Sequence, residues 1–297
     1  MHLYPLPLLI LIPLTTATCT RSTLSAKTSL FFSSAFSSQN ASSNPLALSP
    51  TAKISQNNVI HPTLDTTAWS SLSSFASDYR VSALDTTLCS ATTYAPVLNK
   101  KGEHGLLSLR LQVSDVASED PGKNEVTELE ILYAEKGAHM FFAPELLPKS
   151  APQMWKTPQE PVGAVDGGNS SLTHTALIVT ANTYPTALSA GSTTTIAGPT
   201  CPRTENGVPV TQHCNEGLAA FKYPVPERRW IADEETGIVW GGLWFDKNAV
   251  GRGDGLFLHE YFAVKGGRIS GVDAVMQTLP GEYSGVWGTG TGAAEVE

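Results

Sequence analysis

The chain has 297 residues, of which 41% are hydrophobic and only 15% charged, and its formal net charge is -8. That length admits two modest domains or one large one, and the low charge suits a folded, extracytoplasmic, β-rich protein. The acidic balance excludes a nucleic-acid surface, which needs clustered Lys and Arg; no basic run is longer than a pair such as Arg228-Arg229.

In chain order, residues 1–19 contain one apolar run from Leu3 to Leu14 followed by small residues. The run is too short to span a bilayer and reads as a secretory signal cleaved between Ala17 and Cys19, which predicts a secreted protein with no membrane span. A transit peptide would share the absence of Asp and Glu before Asp65, but should be amphipathic and Arg-rich. Residues 20–62 are rich in Ser and Thr and poor in charge, and are predicted to be a flexible, glycosylated leader outside any core. Asn40 and Asn169 each begin an N-glycosylation triplet.

A first globular unit is expected over 63–147. Trp69, Leu72, Phe75 and Ala76 fit one face of a short helix over 68–81, and strands follow at 83–98, 104–114 and 125–134. Residues 148–168 carry Pro and Gly at turn-making density and read as a linker. A second unit is expected over 169–288, with a flexible tail over 289–297. It opens with a helix ended by Gly191 as C-cap, though Pro185 should kink or shorten it. Cys201 and Cys214 enclose a turn-rich segment whose ends can meet. A disulfide closing about 14 residues contributes roughly 3 kcal/mol, and the competing reading, a metal site with His213, matches no structural zinc spacing. Strands are expected at 227–233, 237–246, 255–265 and 268–278.

The pattern of 105–132, an apolar strand, a polar turn and a second strand, recurs at 255–276, with Val126 and Ile269 equivalent. Such recurrence predicts a duplicated unit. A helix followed by a meander with long final strands resembles the nuclear transport factor 2-like (SnoaL-like) superfamily. The segments CPRTENGV, ERRWIADEETGIVWGGLWFD and LHEYFAVKGGRISGVDAVMQTLPGEYSGVW resemble a domain of uncharacterised secreted fungal proteins with tandem units of that kind. The resemblance implies an α+β fold: two cone-shaped units, each a curved, mostly antiparallel sheet with helices at its mouth, the first reduced. It also implies a hydrophobic small-molecule partner, with room for a homodimer across the open sheet face.

Alternation on strand 257–264 separates His259 and Tyr261 from Glu260 and Phe262, so either face carries one titratable group among apolar neighbours. His259 or Glu260 is a candidate general acid or base, with Asp273 on the next strand and Arg229 as charged partners. The competing reading makes these residues structural, with the carboxylates in ion pairs to Arg228, Arg229 or Arg268. Trp240, Trp244, Phe245 and Tyr261 are candidate pocket walls or plain core, and Glu205-Asn206 suits a turn. No metal or cofactor motif is present. The expectation is a cofactor-independent lyase, isomerase or cyclase acting on a polyketide- or terpenoid-like molecule of fungal secondary metabolism. The alternatives are a non-catalytic secreted binding protein and a host-interaction protein.

Overall fold

Strands such as Ile238–Phe245 are buried at every position, so both of their faces need cover. The computed structural model shows what supplies it. It describes residues 19–36, 46–114, 124–157, 162–163, 169–170, 172–192, 197–220, 222–245, 254–280 and 285–287. The expected signal segment before Cys19, the Asn40 triplet and the tail 289–297 lie outside them.

The first half comprises helix α1 (Arg21–Phe36) and strands β1 (Leu48–Gln56), β2 (Val59–His61), β3 (Leu72–Phe75), β4 (Val81–Asp85), β5 (Ser90–Asn99), β6 (His104–Val113) and β7 (Val126–Glu135). A two-stranded ribbon, β8 (Val162–Gly163) with β9 (Asn169–Ser170), precedes helix α2 (His174–Ala190). The second half continues with β10 (Arg203–Glu205), β11 (Val208–Thr211), β12 (Glu227–Asp233), β13 (Ile238–Phe245), β14 (Asp254–Lys265) and β15 (Arg268–Pro280).

One seven-stranded sheet runs β2-β1-β7-β6-β5-β3, with β4 also on β5, and one six-stranded sheet runs β11-β10-β15-β14-β13-β12. The plan is the same twice. A helix leads into a small hairpin whose first strand pairs parallel with the last strand of the following meander, β1 on β7 and β10 on β15. The duplication read from the recurring hairpin therefore extends to whole-sheet topology.

The two sheets pack face to face. Tyr94, Leu106, Leu132, Trp240, Phe257, Tyr261 and Val275 form a core between them. The outer face of the first sheet is covered by α1 through Leu24, Phe31 and Phe32, and that of the second by α2 through Leu177, Tyr184 and Leu188. The layers are thus helix, sheet, sheet, helix.

This corrects the expected fold class. Two mixed sheets dominate, with one helix on each outer face, in place of two cones with helices at their mouths. The first unit is not reduced, since its sheet has the larger number of strands. The Ser/Thr-rich leader also differs from expectation: it forms helix α1, in which Leu24, Phe31 and Phe32 are fully buried while Leu30 stays exposed. The helix expected over 68–81 is replaced by a 3-10 turn at Ala68–Ser71, then β3 and β4. In the expected linker, Ala151 and Trp155 insert into the core between the sheets. Helix α2 forms as expected, capped by Gly191 at φ 62°, and runs through Pro185. Cys201 and Cys214 are joined, with Cα atoms 5.1 Å apart, so both sulfurs are committed to the disulfide. Asn169 begins β9. Among the described residues, no helix is long and apolar enough to cross a membrane.

Candidate functional site

The period of two in β14 sends its chemistry in two directions. His259 and Tyr261 face the partner sheet, whereas Leu258, Glu260 and Phe262 face α2. On the α2 side, register creates space. Glu260 stands opposite Gly241 on β13 and Ala274 on β15, and Ala274 is itself opposite Glu205 on β10. A row of carboxylate, alanine, carboxylate and glycine therefore crosses the sheet. The two acids sit two strand spacings apart, about 10 Å between Cα atoms, with a methyl group between them. Ala274 leaves open what a larger side chain would fill.

The result is a cavity of about 190 Å³ whose walls include Tyr184, Leu188, Leu256, Leu258, Phe245 and Met276, with Arg203, Glu205 and Glu260 on the same lining. It exceeds the roughly 150 Å³ that suffices to hold benzene in an apolar core. Its mouth is formed by the segment after β7, His139 to Phe141, so the first half completes a site in the second. That segment is tied down at both ends: Thr278 N–H donates to the Ala138 carbonyl at 2.8 Å, and Ala143 N–H to the Asn206 carbonyl at 3.0 Å. Gly207, at φ 85°, is required here because a Cβ would lie 2.5 Å from the Ala143 carbonyl oxygen.

Glu260 is buried, and its Oε2 has no hydrogen-bond partner among the described residues. Burial, then the nearby Glu205 charge, raise its carboxyl to about 8 against the partial opposition of Arg203. Burial also raises Glu205, but Arg203 pulls it back toward the ionised form; Nε of that arginine lies 3.2 Å from Glu205 Oε1. Arg203 is fixed in turn: Nη1 donates to the Tyr184 hydroxyl at 3.0 Å and to the Cys214 carbonyl at 3.4 Å. The disulfide thereby anchors the arm that carries Arg203 and Glu205. Asn206, at φ 45°, completes the turn, bonding Met276 both ways at 2.9 and 2.8 Å.

Of the candidate residues, only Glu260 and Phe245 reach this cavity. The others lie between the sheets. Arg229 forms a two-pronged ion pair with Glu130, both contacts 2.6 Å, and Arg110 Nε reaches the same carboxylate at 3.0 Å. Burial alone would raise Glu130; the Arg229 charge and hydrogen bonds overcome it and hold the carboxyl well below its ordinary range. His259 contacts Ser108 Oγ through Nδ1 at 2.8 Å, and its Nε2 lies 3.4 Å from Glu130 Oε1. Burial lowers its proton affinity against the partial opposition of Glu130. Asp273 accepts from the Tyr94 and Tyr79 hydroxyls. Tyr261 bonds Thr92 and Ser108 at 2.6 and 2.7 Å, and the Trp240 ring packs edge-on to His259. Trp244 packs with Phe257 in the same layer. These residues glue the two sheets together.

The residues not anticipated as site members are Arg203, Glu205, Tyr184 and the His139–Phe141 mouth. The signal available for the first pair was two charges at strand spacing two residues after a disulfide cysteine. The mouth carries no local signal, because it arrives from the other half of the chain.

A family model described as a domain of unknown function, DUF8021, matches residues 170–276. That span runs from just before α2 into β15, and so includes Glu260, Arg203, Glu205 and Tyr184. No curated protein and no solved structure gives a significant match to the chain.

Proposed function

We propose that the cavity under α2 binds a small hydrophobic molecule of one or two rings and moves protons on it, with Glu260 as general acid and Glu205 as general base. The observation carrying this reading is a buried carboxyl, unpartnered at Oε2 among the described residues, in an apolar cavity beside a second carboxyl that burial also raises but Arg203 pulls back toward the ionised form. Two acids driven apart in proton affinity are the pattern that divides acid from base roles. The chemistry suited to it is loss of water from a cyclic β-hydroxyketone, or the related isomerisation. Glu205 takes the proton α to the carbonyl as the double bond forms. The C–O bond breaks, and the Glu260 proton leaves with the hydroxyl as water. Moving one proton from Glu205 back to Glu260 resets the site. No cofactor enters this scheme. A signal-like first segment and the Cys201–Cys214 disulfide favour action outside the cell, or in another oxidising compartment.

Deuterium uptake and water loss from simple cyclic β-hydroxyketones in D2O, followed by NMR, test the proposal. Turnover is expected to fall on the alkaline side near pH 8 as Glu260 ionises, and on the acid side as Glu205 is protonated. Glu260→Gln should lower it by about 10²- to 10⁴-fold. Equal rates for the wild type, Glu260→Gln and Glu205→Gln would exclude these roles.

A further inference from the structure

The two helices are fastened by one device used twice, crosswise. Asp85 ends β4 and accepts the Ala232 N–H of β12 at 3.0 Å; Asp233 ends β12 and accepts the Leu84 N–H of β4 at 3.1 Å. Each buried aspartate then holds the first residue of the other half's helix. Asp233 pairs with Arg21 at the start of α1, and Asp85 with His174 Nε2 at 2.7 Å at the start of α2. The helices differ in one respect. An arginine stands at the start of α1 and a histidine at the start of α2, and histidine is the side chain type whose proton comes and goes in the physiological range.

We propose that His174 is a proton-operated latch: in acid it fixes the start of α2, the roof of the Glu260 cavity, to Asp85, and at alkaline pH it lets that start go. The geometry explains why the proton matters. A cation at a helix N-terminus opposes the helix dipole, so holding it there needs compensating carboxylates. Asp85 from β4 supplies one. Glu234 from the β12–β13 turn supplies the other, its Oε1 accepting the backbone N–H of His174 at 2.8 Å. Farther along the same turn, Glu235 is engaged by Arg21 Nε at 3.0 Å. The hydrogen bond to Asp85 raises His174 above its ordinary range despite partial burial. The latch therefore holds below about pH 6.5 and weakens as pH climbs through the raised value. Losing the charge costs the strands nothing, because Asp85 keeps the N–H groups of Ala232 and Leu88. It costs α2 its charge-assisted anchor. Tyr184 and Leu188, which line the cavity, ride on the same helix about 15 Å and farther along.

Hydrogen exchange of the first turns of α2, corrected for intrinsic rate, tests this in the intact chain. Between pH 6 and pH 8 the wild type should lose roughly tenfold protection over residues 174–180. His174→Arg, which copies the arrangement at Arg21, should stay protected at both pH values, and His174→Gln should be unprotected at both. Arginine restoring pH-independent protection is a result that a merely space-filling histidine would not give. Equal pH dependence in wild type and His174→Arg, or full protection in His174→Gln, would overturn the latch. The link to the cavity rests on the small-molecule reading above and is measured separately. Naphthalene, uncharged at all pH values, is titrated into Glu260→Gln so that the glutamate cannot contribute. Its affinity should drop several-fold from pH 6 to pH 8, and this drop should vanish when His174→Arg is added. Exchange that responds while naphthalene fails to bind would keep the latch and remove the cavity reading instead.

Discussion

At the scale of single residues, the decisive contrast is between adjacent side chains. His259 and Glu260 are neighbours in sequence, and both are buried. The imidazole is surrounded by Ser108, Glu130 and Trp240 and serves the join between sheets, while the carboxyl meets an apolar cavity. This has a thermodynamic signature. Between its ordinary value of 4.5 and about 8, Glu260 is protonated in the folded chain and ionised in the unfolded one. The folded state then binds more protons, so stability falls as pH rises through that window. Glu260→Gln keeps the neutral form permanently and removes the slope. The difference in unfolding free energy between variant and wild type should shift by about 4 kcal/mol in the variant's favour from pH 5 to pH 8, read by urea denaturation at each pH. Asp273 and Glu205, also raised by burial, are present in both proteins and cancel. A constant difference across that range would show that Glu260 is ionised when folded.

Secondary-structure elements divide into those legible from local pattern and those set by distant contacts. The four long strands of the second half, the capped helix α2 and the Cys201–Cys214 pairing follow from apolar runs, Gly191 and the cysteine spacing. The recurring hairpin was legible for the same reason. Helix α1 was not, because Ser and Thr dominate its composition, and its hydrophobic burial depends on a sheet that forms much later in the chain. Strand alternation separated His259 from Glu260 but could not say which set faced the cavity; that depends on Arg203, Glu205 and the mouth segment arriving from elsewhere. Because α1 belongs to the core, its inward residues should be costly to truncate. Phe31→Ala is expected to destabilise by about 3–5 kcal/mol, whereas Leu30→Ala, at a position 41% exposed, should stay within about 0.5 kcal/mol. Thermal or denaturant midpoints for the pair measure this directly. Equal, small effects would return residues 21–36 to the status of a leader.

At the scale of the whole molecule, charge is buried where the halves meet. Glu130 from the first sheet holds Arg229 from the second, with Arg110 on the same carboxylate, and Asp273 of the second half accepts from Tyr79 and Tyr94 of the first. Neither sheet can leave the other without exposing an apolar face and stranding these groups. The hairpin repeat therefore marks two topological units that are expected to unfold together. Removing one partner of a buried pair leaves an uncompensated charge and costs about 3–5 kcal/mol, whereas replacing both by apolar or neutral groups of similar shape is far milder. Arg229→Met leaves Glu130 to Arg110 alone and should lower the unfolding midpoint, and adding Glu130→Gln, with Arg110 still paired to Glu128, should recover most of the loss. Protection factors for β6 and for β14 should fall together in the single variant, since the shared layer couples them. Loss confined to the second sheet, with β6 unchanged, would mean that the halves unfold independently and that the buried ion pair is not what unites them.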